Sequence, residues 1–202
     1  MAELGRNRAG LRGAIARAAV VVLTVVVSAL TSPVAVAEEA SVPLAIQAQL
    51  LAKVAGYDRN LPARAQGTVH VLLVTRKDDT ASARAAAQVA ATLRDVPTIA
   101  GMPHVEESLV FTSGPALAAE CRARRASVVY LMPGLGSEVG AVGAALTGAD
   151  VLSATASSGV RGSVLGLDLV SGRPVLVVDL GQARRQNVAL KPEVLKLARV
   201  VE

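Results

Sequence analysis

Between residues 68 and 155 the apolar positions fall into short, nearly unbroken β-branched runs. These alternate with Ala-rich stretches in which apolar residues recur every three or four positions. Runs of the first kind predict strands covered on both faces, and stretches of the second kind predict helices. Strands are expected over residues 68–75, 104–111, 126–132 and 150–155. Helices are expected over 81–94, from Ser113 and Pro115 to about 125, and over 138–146. Asp78-Asp79-Thr80 is placed to cap the first of these helices. Residues 96–99 read as a short strand or connector. Ahead of this block, Leu44, Ile46, Leu50, Leu51 and Val54 share helical spacing, with Gly56 as a stop and residues 57–62 as a turn. Behind it, residues 163–170 and 174–179 flank Ser171-Gly172-Arg173 and predict a hairpin. Residues 182–186 read as a helical turn and 191–200 as a last helix opened by Pro192. The expected fold is therefore α/β: a single domain in three layers. Its sheet is mixed but mainly parallel, with helices on both faces and a C-terminal β-hairpin.

The N-terminus has a different pattern. Arg6, Arg8, Arg12 and Arg17 precede an apolar stretch over residues 18–30, then Pro33, Ala35-Val-Ala37 and Glu38-Glu39. A basic opening, a short apolar core and a small-x-small site predict a secretory signal over residues 1–37. Ala35 and Ala37 present the small side chains that a signal peptidase accepts, and Glu38 opens the mature domain, residues 38–202. An uncleaved anchor is the alternative. The apolar core, however, is shorter than the ~20 residues of a spanning helix. The export route predicts a protein that works outside the cytoplasm.

Removing that segment changes the charge. The chain has 21 basic and 16 acidic residues, and residues 1–37 hold four Arg and one Glu. The mature domain keeps 17 against 15, a net charge of +2, so the high isoelectric point owes much to the signal. A nearly neutral domain gives no reason to expect a nucleic-acid partner. With no Trp, one Phe and two Tyr, the core must be built from Val, Leu and Ala. The single Cys121 leaves two arrangements: a small buried thiol, or a bridge between two copies in a homodimer.

Candidate chemistry is sparse. Gly134-Leu135-Gly136-Ser137 follows a strand and precedes a helix, where backbone N–H groups can meet an anion. The spacing G-x-G-x-x-x-G is not the dinucleotide fingerprint. A soluble nicotinamide pool is also missing outside the cytoplasm, so no cofactor is expected. His70 and His104 lack metal-ligand spacing. Neither a G-x-S-x-G elbow nor an S-x-x-K signature occurs, and Ser157-Ser-Gly159 reads as a loop. Glu106 and Glu107, adjacent on a strand, must face opposite sides. Arg122, Arg124 and Arg125, like Arg184 and Arg185, sit where cations offset a helix C-terminus, or where they could meet an acidic partner or anionic headgroups.

Three segments carry a resemblance. The first runs from Ala48-Gln-Leu-Leu-Ala-Lys-Val-Ala-Gly-Tyr57 to Leu61-Pro62, the second is the strand Ala126-Ser-Val-Val-Tyr-Leu-Met132, and the third is the tail from Asp179 to Val201. Together they resemble the YfiR-like family of small periplasmic proteins, over residues 45–201. The opening is less aromatic than the family pattern, with Leu51, Val54 and Tyr57 in place of Phe and Trp. Val188, Lys191 and Pro192 stand where the family has a glycine and serines. A lone Cys121 does not carry over the paired cysteines of some members. The resemblance implies a non-enzymatic regulator whose partner is the periplasmic sensor region of an inner-membrane diguanylate cyclase, acting on cyclic-di-GMP and biofilm formation. The competing expectation is a small-solute-binding protein, its ligand held by Arg76, Lys77, Asp78 and Asp79 together with Gly134, Leu135, Gly136 and Ser137, at the carboxyl ends of two strands.

Overall fold

A computed structural model describes residues 42–157 and 162–202. The expected signal segment 1–37, its cleavage residues Ala35, Ala37 and Glu38, and Ser158 and Gly159 of the serine loop lie outside the described residues.

The described residues open with α1 (Leu44–Ala55) and a short α2 (Leu61–Ala65), then β1 (Val69–Arg76), α3 (Thr80–Arg94) and β2 (His104–Phe111). It continues with α4 (Gly114–Ala123), β3 (Val128–Leu131), α5 (Val139–Ala145) and β4 (Leu152–Thr155). It closes with β5 (Leu165–Val170), β6 (Arg173–Asp179), α6 (Leu180–Arg185), α7 (Pro192–Leu195) and β7 (Arg199–Val201). The strands form one seven-stranded sheet in the order β2-β1-β3-β4-β5-β6-β7. From β2 through β5 every pairing is parallel, β6 runs antiparallel to β5, and β7 lies parallel to β6. The α/β fold, the mainly parallel mixed sheet and the C-terminal hairpin are as the sequence predicts. Ser171 and Gly172 both have positive φ, as a two-residue turn that follows strand twist requires.

The period of two on β1 sorts the core. Val69, Val71 and Leu73 face one side, with Val128 and Tyr130 of β3 beside them. On that side they meet Leu51 and Val54 of α1 and Val89 and Leu93 of α3. Leu72 and Val74 face the other side with Val129 and Leu131, against Leu117 of α4 and Val142 of α5. The split follows from handedness. The chain steps from β1 outward to β2, then reverses past β1 to β3 and β4. Right-handed crossovers in opposite directions put their helices on opposite faces. Each fully buried Val or Leu contributes about 1.5–3 kcal/mol, and the sheet carries a row of them on each side.

Helix caps confirm the local sequence signals. The Asp79 carboxylate accepts from the N–H groups of Ala81 and Ser82, and the Ser113 hydroxyl accepts from that of Ala116. Two expectations change. Residues 61–65 add a turn of helix, with Pro62 in its opening positions. The last helix is one turn long, and Arg199–Val201 instead form β7. Lys191 at its N-cap makes no side-chain cap bond, and the β-branched pair Val200-Val201 suits an edge strand beside β6. Leu197, within the predicted longer helix, is 81% exposed.

α1 belongs to no crossover and is held by two polar anchors. Near its start, Gln47 is buried. It donates to the Val42 and Ala156 carbonyls at 2.7 and 3.2 Å, and it accepts from the Tyr130 hydroxyl at 2.9 Å. Beyond its end, Asp58 (2% exposed) meets Arg64 at 2.8 Å and accepts from the N–H groups of Ala189 and Asn60. Arg64 also reaches Asp150 at 2.9 Å and the Asn187 carbonyl at 3.1 Å. Replacing Asp58 with alanine leaves this buried guanidinium short of its main counter-charge. The expected result is a loss of about 3 kcal/mol in urea denaturation. A loss under about 1 kcal/mol would show that the cluster does not hold the domain ends.

Candidate functional site

Reversal of strand order between β1 and β3 is the feature that places ligand sites in open α/β sheets, at the carboxyl ends of the strands. The loops singled out from sequence lie there: Arg76 to Asp79 after β1, and Gly134 to Ser137 after β3. The structure brings them into contact. Arg76 Nη1 donates to the Gly134 carbonyl at 3.3 Å. Gly134 has φ +96°, and a Cβ on it would lie 2.7 Å from the Asp79 carboxylate, so only glycine allows this approach. Asp79 is occupied as the α3 cap. Leu135 is buried in the core, and the Ser137 hydroxyl donates to its neighbour Glu138. Arg76, Lys77 and the left-handed Asp78 are exposed. The result is a charged ridge over the switch point, with the space between Gly134 and Asp79 filled.

The other candidate groups are dispersed. His70 and His104 point to opposite faces, since Val69 is the partner of His104 in the register. His104 pairs with Glu106 and with the Val96 carbonyl. Glu107, on the other face, pairs with Arg124, which also holds Glu120 at 2.7 Å. Those two carboxylates raise the Arg124 pKa, first through the Glu120 hydrogen bond. Among the described residues, no group of three or more His, Cys, Asp or Glu side chains is placed to hold a metal. No helix among them is long and apolar enough to cross a membrane.

The opposite end of the sheet holds a cleft of about 490 Å³, near the amino ends of β1, β3 and β4. Arg64, His70, Cys121, Arg122, Arg125 and Asp150 line it, drawn from α2, β1, the end of α4 and the loop before β4. Cys121 is 3% exposed, and burial raises its thiol pKa to about 11, with Arg122 acting in the opposite direction. A thiol so placed is a buried side chain of α4. The sequence singled out Arg122 and Arg125 only as helix-end cations. Nothing in their spacing reveals that they share a cleft with residues some sixty positions earlier.

Comparison with known proteins adds three findings. A model of the YfiR/HmsC-like family matches residues 44–199. No curated protein matches the chain. Among solved structures, a conserved domain protein from Vibrio cholerae O1 biovar El Tor strain N16961 aligns with a TM-score of 0.54 at 12% identity. The alignment covers 79% of this chain and 60% of that one, so this chain spans less than two thirds of its length. At that identity the likeness is one of fold.

Two expectations follow from the geometry. Gly134→Ala adds strain at a positive φ and a clash with Asp79. It is expected to lower stability by about 1–3 kcal/mol and to release Arg76, read by thermal melting. A variant as stable as the parent would show that the two loops are not in contact. Cys121 thiolate is disfavoured in the folded state. Stability is therefore unaffected below the ordinary thiol pKa of 9.0 and is lost as pH rises from there toward 11. Iodoacetamide at pH 8 should modify native Cys121 about 100-fold more slowly than the urea-unfolded chain, by mass spectrometry. Equal rates would mean the thiol is accessible.

Proposed function

The chain belongs to the YfiR/HmsC-like family, and from that membership we propose that it is an exported, non-enzymatic regulatory binding protein of the periplasm. Its partner is the periplasmic sensor region of an inner-membrane signalling protein such as a diguanylate cyclase. Restraint of that partner lowers cyclic-di-GMP and biofilm formation. The observation that carries the reading is the family match over residues 44–199. The signal-like pattern over residues 1–37 supports the compartment.

The ridge at the carboxyl end of the sheet suits contact with a protein better than enclosure of a solute. Arg76, Lys77 and Asp78 project charge outward, and Arg76 is held in place by Gly134. Surfaces of this kind guide and orient association electrostatically.

Envelope fractions solubilised in mild detergent, with the tagged chain as bait, should yield an inner-membrane protein carrying a cyclase domain. Lys77→Glu should reduce that yield severalfold without changing the melting temperature. Recovery of no membrane protein in several detergents would count decisively against the proposal.

A further inference from the structure

The cleft at the amino end of the sheet has a composition that the regulatory reading does not explain. Three of its lining residues are arginines, and its one lining carboxylate is already engaged. Asp150 Oδ1 accepts from Arg64 Nε at 2.9 Å and from Asn187 Nδ2 at 3.3 Å. Arg64 is fixed by Asp58, Asp150 and Asn187 and retains N–H donors to spare. Arg122 and Arg125 have no ion pair or side-chain hydrogen bond among the described residues. Arg124 between them is spent on Glu107 and Glu120 and does not line the cleft. One arginine of the triplet is thus neutralised, and the two that reach the cleft are not.

The α4 terminus does not take up their N–H donors, although cations there do offset its dipole. The carbonyls at the end of α4 are bonded already: Cys121 O accepts from the Ala126 N–H at 2.9 Å, Arg122 O from that of Arg125, and Glu120 O from that of Arg124. Arg125 itself sits at φ 51°, the left-handed position where glycine is the ordinary choice. Thr68, His70 and Thr147 also line the cleft, the Thr147 hydroxyl donating to the Gly143 carbonyl at 3.1 Å, and the buried Ala126 and Val151 border it as apolar residues. A cleft of this size lined by three arginines together with apolar residues has the dimensions of a small-molecule site. Guanidinium forks match the geometry of phosphate and carboxylate oxygens.

We propose that this cleft binds a small organic oxyanion, of the phosphate-ester or carboxylate class. Arg122 and Arg125 clasp the anionic group, and the apolar lining carries its body. The proposal rests on the cleft alone and stands apart from the partner-restraint reading.

Phenyl phosphate serves as the probe, titrated into the mature domain at low ionic strength by calorimetry, with the His70 ring resonances followed by NMR. Saturable binding with a shift of the His70 signals is expected, together with a rise in melting temperature. Arg122→Ala and Arg125→Ala should each weaken binding about tenfold or more, whereas Arg124→Ala should change it less than about twofold. All three residues are surface side chains, and unchanged melting of the unliganded variants keeps the comparison valid. An equal effect of Arg124→Ala would reduce the effect to general surface charge and overturn the site. So would an absence of saturation at about 10 mM probe. Binding to phosphatidylglycerol vesicles without binding to phenyl phosphate would assign the arginines to a membrane surface and likewise overturn the cleft as a site.

Discussion

The buried ion pair between Asp58 and Arg64 is the constraint on which the domain's closure depends. It links the loop after α1 to the segment following α6, far apart in the chain. Charges taken out of water cost several kcal/mol each, and attraction alone seldom offsets this. Here the remaining valences are filled as well. Asp58 accepts two backbone N–H groups, and Arg64 divides its donors among Asp58, Asp150 and the Asn187 carbonyl. A cluster that is satisfied only in one arrangement specifies that arrangement. A slip of either segment would strand a buried charge. The backbone bonds from Arg59 to Ala189 and from Lys191 to Tyr57 then hold the two segments as neighbours.

That closure explains how α1 covers a sheet face to which no crossover assigns it. Its C-terminal side leads into the Asp58 cluster, and its N-terminal side is fixed through Gln47 to Tyr130 and Ala156. Burial raises the pKa of the Tyr130 phenol, which keeps it protonated and able to donate to Gln47. Between these polar anchors the helix needs only modest side chains, and Leu51 and Val54 supply them in a chain with almost no aromatic residues. The opening and tail segments that resemble the YfiR-like pattern are the two segments this cluster joins. Asn60 and Arg64 on one side contact Asn187, and Asp58 contacts Ala189, on the other.

The strands were legible because β-branched runs such as residues 69–74 have one stable use in water, burial between two layers. The caps at Asp79 and Ser113 were legible because they act within three residues. What stayed hidden depends on distant partners. Asp58, Arg64, Asp150 and Asn187 look like ordinary surface polar residues until folding assembles them. The tail misled for a related reason. Val194, Leu195, Leu197 and Ala198 have helical spacing, but the uncapped start at Lys191 and the open edge of β6 favour one turn of helix and then β7. At the candidate loops, sequence placed Arg76, Asp79 and Gly134 at neighbouring strand ends. It could not show that a glycine at φ +96° would let them close on one another.

The two ends of the sheet therefore differ in how their polar groups are used. At the carboxyl end, where crevices ordinarily form, Asp79 is committed to a helix cap and Arg76 to a carbonyl, while Lys77 and Asp78 stay exposed. At the amino end, the backbone of the α4 terminus is self-satisfied, and the arginines beside it are left over. Two like charges on one cleft repel each other, although both side chains are exposed and water weakens that repulsion. A protein of nearly neutral net charge could relieve it with a single acidic residue, as it does for Arg124. Keeping the pair open on the cleft while closing it elsewhere is what an anion-accepting surface requires.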